Sequence, residues 1–255
     1  MPRRVRLALL LAAAAGCQAV STRPPQPPLP PPTARATAQP SAPVQQVAFT
    51  PTTTKPDDPS TPPDELTLAA DCLERGDDSA AATHLERHVG QHPDQIVFRA
   101  RLADLLTRLD RLPEAQAHFE AAAAAAQDGP AAARREMVHY HTRLMEIARH
   151  REDAYAEHLH RGIGLYLVGS RLADKDAGEA ERLLCKAAAA LKEAQDIRPD
   201  DARPAWYLYR AWSQLDQPRP AERALRKAVA NAPFSPLTPA ESRELAAVNL
   251  VTSRK

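Results

Sequence analysis

The strongest constraint on this chain is a period of thirty-four residues. Leu68, Ala69, Cys72, Gly76, Ala81, Leu85, His88 and Pro93 return thirty-four positions later as Leu102, Ala103, Leu106, Asp110, Ala115, Phe119, Ala122 and Gln127. The same order of small and large apolar residues recurs as Leu208, Tyr209, Trp212, Asp216, Ala221, Leu225, Ala228 and Pro233, and half of it as Ala187, Leu191, Ala194 and Pro199. A period of this length marks a unit that cannot bury its apolar face alone and must stack on copies of itself. Alanine and leucine crowd this part of the chain, glycine is scarce at 8, and aromatics make up 4%. That composition argues against β-rich and dinucleotide-binding folds and for stacked helices. The expected class is all-α.

The pattern resembles the tetratricopeptide repeat (TPR) family, whose units are pairs of antiparallel helices. The resemblance is strong over residues 62–129, good over 202–235 and partial between. It implies an α-solenoid in which Ala69, Ala81, Ala103 and Ala115 let helix axes approach, while Leu85, Phe119 and Leu225 fill the grooves. Gly76, Asp110 and Asp216 suit the turn within each pair, and Pro93, Pro199 and Pro233 end each second helix. His88 and Tyr209 depart from the family pattern. Two units are therefore expected in 64–129, divergent TPR-like helices in 130–201, one unit in 202–235, and a capping helix and tail in 236–255. The divergent span reads as three long helices, at 131–149, 152–171 and 178–196, without a clear phase. Gly162, Gly164 and Gly169 in the second of them point to a close helix crossing, with a kink as the alternative. Thr238-Pro239-Ala240-Glu241 is a capping box with proline at the first helical position, so a last helix should cover the final repeat.

The N-terminus carries a different signal. Arg3, Arg4 and Arg6 precede an apolar run from Leu7 to Ala15, too short for a membrane span, which needs ~20 residues. The run ends in Ala14-Ala15-Gly16-Cys17, which resembles the lipobox of bacterial lipoproteins, although Ala14 stands where that family usually has leucine. The resemblance implies a signal peptide at 1–16 and lipidation of Cys17. A cleaved leader without lipid, or an uncleaved anchor, are the alternatives. It also implies a lipid-anchored protein of the bacterial cell envelope with its folded domain in the periplasm. Gln18, in place of the retention aspartate, leans towards an outer membrane where one exists. Residues 17–63 hold more than half of the 25 prolines and show no apolar period, so they read as a disordered Pro-rich linker.

Catalytic signals are sparse. His139/His141 and His158/His160 are two apart, about 200° around a helix, and cannot chelate one ion from the same face. His84-Leu85-Glu86-Arg87-His88 has its glutamate out of place for a zinc protease. No Gly-rich phosphate loop or nucleophile elbow occurs, so the expectation is no enzyme, no metal and no cofactor. The net charge of +1 offers no broad field for nucleic acid. Cys72 and Cys185 are expected as two separate buried thiols, not a disulfide. By the family resemblance a protein or peptide partner would lie along the first helix of each pair. On the last pair that stripe is Arg203, Trp206, Arg210, Ser213 and Gln214; on the second it is Val97, Ala100, Asp104, Thr107 and Arg108. Neither stripe carries the lysine/asparagine clamp of the chaperone-binding TPR proteins. The alternative for Trp206 is packing under the preceding helix, with solvated arginines beside it. The reading is thus a non-catalytic, membrane-tethered adaptor. A self-associating structural envelope protein is the alternative, and a metal-dependent enzyme a more distant one.

Overall fold

The computed structural model describes residues 64–252. The leader, Cys17 and the Pro-rich segment lie outside the described residues. Within them the chain is an all-α, TPR-like solenoid: α1 (Glu65–Glu74), α2 (Asp78–Gln91), α3 (Ile96–Arg108), α4 (Leu112–Asp128), α5 (Ala131–His150), α6 (Ala154–Leu172), α7 (Ala177–Ile197), α8 (Ala202–Gln214), α9 (Pro218–Asn231) and α10 (Pro239–Thr252). A single turn of 3-10 helix, Ala232–Phe234, follows α9.

One local geometry generates the pairing. Gly76, Asp110 and Asp216 occupy the left-handed region, at φ of 74°, 58° and 52°. The N–H of the residue after each donates back five positions, Asp77 to Cys72, Arg111 to Leu106 and Gln217 to Trp212, at 2.9 Å in all three. This closes the first helix with the six-to-one bond of a left-handed C-terminal cap and reverses the chain within three residues. The second helices then end before Pro93 and Pro233. Gln127 stands where those prolines do, and α4 accordingly runs on to Asp128 before Gly129-Pro130.

The same turn resolves the divergent span. Glu152 has φ of 56°, and Asp153 N–H donates to the Ala148 carbonyl at 2.9 Å, so α5 and α6 form a hairpin of the repeat type. The link from α6 to α7 is different: Lys175 and Asp176 both donate to the Leu172 carbonyl, at 2.9 and 2.8 Å, with no left-handed residue. The sequence of α7 is that of a second helix, so α6 serves both as the second helix of one hairpin and as the first against α7. The three helices expected here are α5, α6 and α7, with ends shifted by two residues or fewer.

Small residues set the helix separations. Ala81, Ala103, Ala115, Ala187, Ala194 and Ala228 are fully buried, and Phe119 fills the groove between α4 and α5. Two of the three glycines of α6 mark a close crossing with α7. A β-carbon on Gly162 would lie 2.5 Å from Leu191 Cγ, and one on Gly169 3.1 Å from Leu184 Cγ and 3.3 Å from the Ala180 carbonyl. Gly164 differs, since its β-carbon would meet only the His141 Cβ, at 3.9 Å. His88 is accommodated by its Nε2 contact with Gln95 Oε1 at 3.0 Å and by the edge of the Phe98 ring. Tyr209 stacks on Trp206 at 5.4 Å.

Two expectations are corrected. Cys72 is buried, but Cys185 is exposed on α7, because Leu184, Ala187 and Leu191 turn the opposite side of that helix inward. The capping box is present, with Thr238 N–H on Glu241 Oε2 at 2.9 Å and Glu241 N–H on Thr238 Oγ1 at 3.1 Å. However, α10 does not cover α9 alone. It also reaches α4, more than a hundred residues away in sequence, where Arg243 Nη2 lies 2.6 Å from both oxygens of Asp128 and Gln127 approaches Glu241. A stack whose elements touch only their neighbours would exclude that contact.

The glycine geometry gives opposite expectations for two substitutions on one helix. Gly162→Ala should destabilise by about 1–3 kcal/mol through overpacking against Leu191. Gly164→Ala should stabilise by about 0.5–1 kcal/mol through helix propensity. Urea unfolding of the two variants checks this, and equal shifts would contradict the crossing.

Candidate protein-interaction site

The expected stripe on α8 does not form one open surface. Trp206 is 2% exposed, because α7 and α9 flank α8 and Ala202, Ala205, Leu208 and Ala211 are buried with it. Arg203 donates from Nε to Glu241 at 3.1 Å and from Nη2 to the Pro236 carbonyl at 2.8 Å. Arg210 donates to the Tyr166 hydroxyl at 3.1 Å, with its guanidinium carbon 5.6 Å from the Trp206 ring centre. Ser213 and Gln214 are exposed, and Gln214 also meets Ser170 on α6 at 2.9 Å. Helical spacing puts Arg203, Arg210 and Gln214 on one face together with Tyr207, whereas Trp206 and Ser213 lie about 60–80° away. The sequence assigned Tyr207 no role in this network, and Glu241 only that of a cap. Tyr207 donates to Glu241 at 3.1 Å, and Glu241 itself is 3% exposed. Burial, reinforced by the Glu241 carboxylate, raises the Tyr207 phenol well above its ordinary value, so it stays a donor.

The stripe on α3 is more open. Between α3 and α5 runs a groove of about 640 Å³. Its floor is Ala100 and Tyr140, 7% and 2% exposed, and its lip is Val97, at 60%. Ala132 and Ala133 form the opposite wall at the start of α5, and their short side chains keep the groove wide. Asp94, Arg101, Asp104 and Glu136 supply the charged rim. Asp104 accepts from Arg143 Nε at 3.0 Å and lies 3.5 Å from His139 Nε2, which fixes its carboxylate. Burial and the neighbouring Glu136 and Asp104 raise the Tyr140 phenol, so the floor stays neutral. Thr107 and Arg108 fall outside the groove: Thr107 donates to the Ala103 carbonyl at 2.8 Å, and Arg108 to Asp78 at 2.9 Å. An apolar trough with a charged rim can seat an extended backbone and one or two apolar side chains.

A second, more enclosed cavity of about 420 Å³ lies between α4, α5, α6 and the start of α10. Its wall includes a pair of buried histidines, His141 and His160, whose Nδ1 atoms are 3.1 Å apart. One ring must donate and the other accept, which two neutral imidazoles of complementary tautomer satisfy. Burial, and then the Arg203 charge, push His141 down to about 3. Burial, His141 and Arg203 lower His160 as well. Among the described residues no three His, Cys, Asp or Glu side chains gather as a metal-ligating group.

No protein-family model matches this sequence, and neither does any curated protein. Solved structures that resemble it include MamA (TM-score 0.34, 12% identity, 66% of this chain and 89% of that one). A thermophilic TPR protein of Thermus thermophilus gives TM-score 0.32 and 16% identity, covering 65% of this chain and 72% of that one. MamA from Desulfovibrio magneticus RS-1 gives TM-score 0.29 and 16% identity, covering 66% and 93%. Superpositions this loose carry no weight, and the TPR-like assignment rests on the helix pairs and their turns.

The histidine pair makes a pH prediction. Both folded-state values lie below the unfolded value of ~6.5, so the unfolded chain binds more protons in the interval beneath it. The stabilising effect of neutral, buried rings is complete above pH ~6.5 and is lost as pH falls towards the folded values. By pH 5 His141 should cost about 2 kcal/mol, and His160 adds a cost in the same direction. Urea unfolding at pH 7.5 and 5.0 should show this loss, and His141→Asn should reduce it; an unchanged loss in the variant would exclude the pair as its source.

Proposed function

We propose that this chain is a membrane-tethered, non-catalytic adaptor. In this reading Cys17 carries the lipid, the Pro-rich segment is the tether, and the helical domain holds a protein or peptide partner in the cell envelope. The observation that carries the reading is the open groove between α3 and α5, with Val97 exposed at its lip above the buried Ala100 and Tyr140. Isolated surface hydrophobes are ordinary, but one beside a trough floored by buried apolar atoms is the arrangement that anchors a partner residue.

The lipid part of the proposal draws on the leader alone. Among the described residues no helix is long and apolar enough to cross a membrane. One acyl chain gives marginal, reversible membrane binding, and several are needed to hold a protein there. At ~3.1 Å per residue the segment after Cys17 would reach on the order of 140 Å when extended, and roughly 40 Å as a coil.

Two measurements check the proposal separately. Cys17→Ser should abolish acyl labelling and release the protein from membranes; retention without labelling contradicts the lipid anchor. A photocrosslinker at Val97 in the lipidated protein should give one discrete adduct, absent when the crosslinker sits at Lys186 on α7 and lost on Ala100→Trp, which fills the trough. An adduct with the mass of two copies supports the self-associating alternative, and an adduct indifferent to Ala100→Trp rules the groove out as the docking surface.

A further inference from the structure

The groove between α3 and α5 is rimmed mainly by carboxylates. Asp94 stands two residues before α3, Asp104 lies on α3 itself, and Glu136 faces them from α5. At ~1.5 Å per helical residue the two aspartates are on the order of 15 Å apart along the groove. Arg101 is the only lysine or arginine of the lining. The three carboxylates are not equally engaged. Asp104 is held by Arg143, which it shares with Glu146. Among the described residues no ion pair engages the carboxylate of Asp94 or of Glu136, and both residues are exposed. Glu136 and Tyr140 are four positions apart, one turn of α5, so the free carboxylate stands over the floor of the groove. The Tyr140 phenol registers this from below: the two charges that bear on it, Glu136 and Asp104, are both negative, and both add to burial in pushing it up. The trough is apolar, and the field inside it is negative.

We infer that the occupant of this groove is an extended, basic peptide segment in which one apolar side chain is flanked by lysine or arginine. The inference rests on the groove being the docking surface and adds the chemistry of what docks there. The apolar side chain enters between Val97 and the wall of Ala132 and Ala133, and covers Ala100 and Tyr140. At ~3.3 Å per extended residue, the distance from Asp94 to Asp104 corresponds to about four or five residues of peptide. Cations on either side of the anchor therefore fall within reach of Glu136 and Asp94. A segment with acidic flanks meets the same carboxylates as like charges and is turned away, which supplies a selectivity that the apolar trough lacks.

The probes are three capped pentapeptides, Ala-Lys-Leu-Lys-Ala, Ala-Glu-Leu-Glu-Ala and Ala-Lys-Gly-Lys-Ala. Each is titrated into the full chain at about 0.05 M salt, where exposed charges are weakly screened, and followed by the amide resonances of Val97 and Ala133. The lysine–leucine peptide should bind about ten-fold more tightly than either of the other two. Asp94→Asn combined with Glu136→Gln, both at exposed positions, should shrink its advantage over the glutamate peptide to about two-fold and leave its advantage over the glycine peptide standing. Ala132→Trp, also at an exposed position, narrows the groove from the α5 wall and should abolish binding of all three. Equal affinity for the lysine and glutamate peptides, or a preference that survives the double variant, overturns the basic occupant; if Ala132→Trp still blocks binding, the groove itself stands. Equal affinity for the leucine and glycine peptides overturns the apolar anchor. Binding indifferent to Ala132→Trp, or no shift of either amide with any peptide, overturns the groove and its occupant together.

Discussion

Four of the helix pairs in this domain depend on one three-residue turn. A left-handed residue closes a helix, the next N–H reaches back five positions, and the following helix starts at once in the antiparallel sense. The bond is local and needs no distant partner, so each hairpin can form from its own sequence and then stack on its neighbour. Glycine makes the turn without steric cost and aspartate tolerates it, whereas a longer side chain such as glutamate resists the left-handed region by about 1–2 kcal/mol. Glu152 nevertheless adopts it. The hairpin of α5 and α6 over-determines that conformation through the packing of Tyr140, Leu144, Leu159 and Ile163 on either side of the turn.

This explains which parts of the fold were legible in the sequence. Period, turn residues and terminating prolines are local signals, and they located the repeat pairs at both ends of the domain. The capping box was equally local, and Thr238 and Glu241 bond as their spacing requires. The phase of the middle span was hidden because glutamate is a poor sign of a left-handed turn, and because α6 belongs to two pairs at once. Gly162 and Gly169 announced the close crossing, yet nothing distinguished them from Gly164, whose surroundings depend on which side of α6 faces α7.

The candidate site was legible only in part, for a related reason. A stripe of spacing three and four identifies a helix face but not what covers it. On α3, Val97, Ala100 and Asp104 line an open groove because the facing start of α5 is alanine. On α8 the same spacing selected Arg203 and Arg210 together with Trp206, whose indole is enclosed between neighbouring helices. The partner of the two arginines came from α10, a contact over long sequence separation that no local pattern encodes. Glu241 had a role readable from spacing, as a cap, and another that was not, as the buried carboxylate joining α8 and α4. The protein thus presents two unlike surfaces: an apolar trough left open and a cationic face filled by its own chain.

The central structural claim is that the hairpin of the repeat pairs recurs inside the divergent span, where Glu152 turns α5 into α6. The backbone conformation at Glu152 tests it most directly, by chemical shifts and scalar couplings in solution or by a crystal structure. The expected result is a positive φ near those of Asp110 and Asp216, with the Asp153 amide protected by the Ala148 carbonyl. A helical φ at Glu152, with α5 and α6 running on as one continuous helix or parting without that bond, would contradict it.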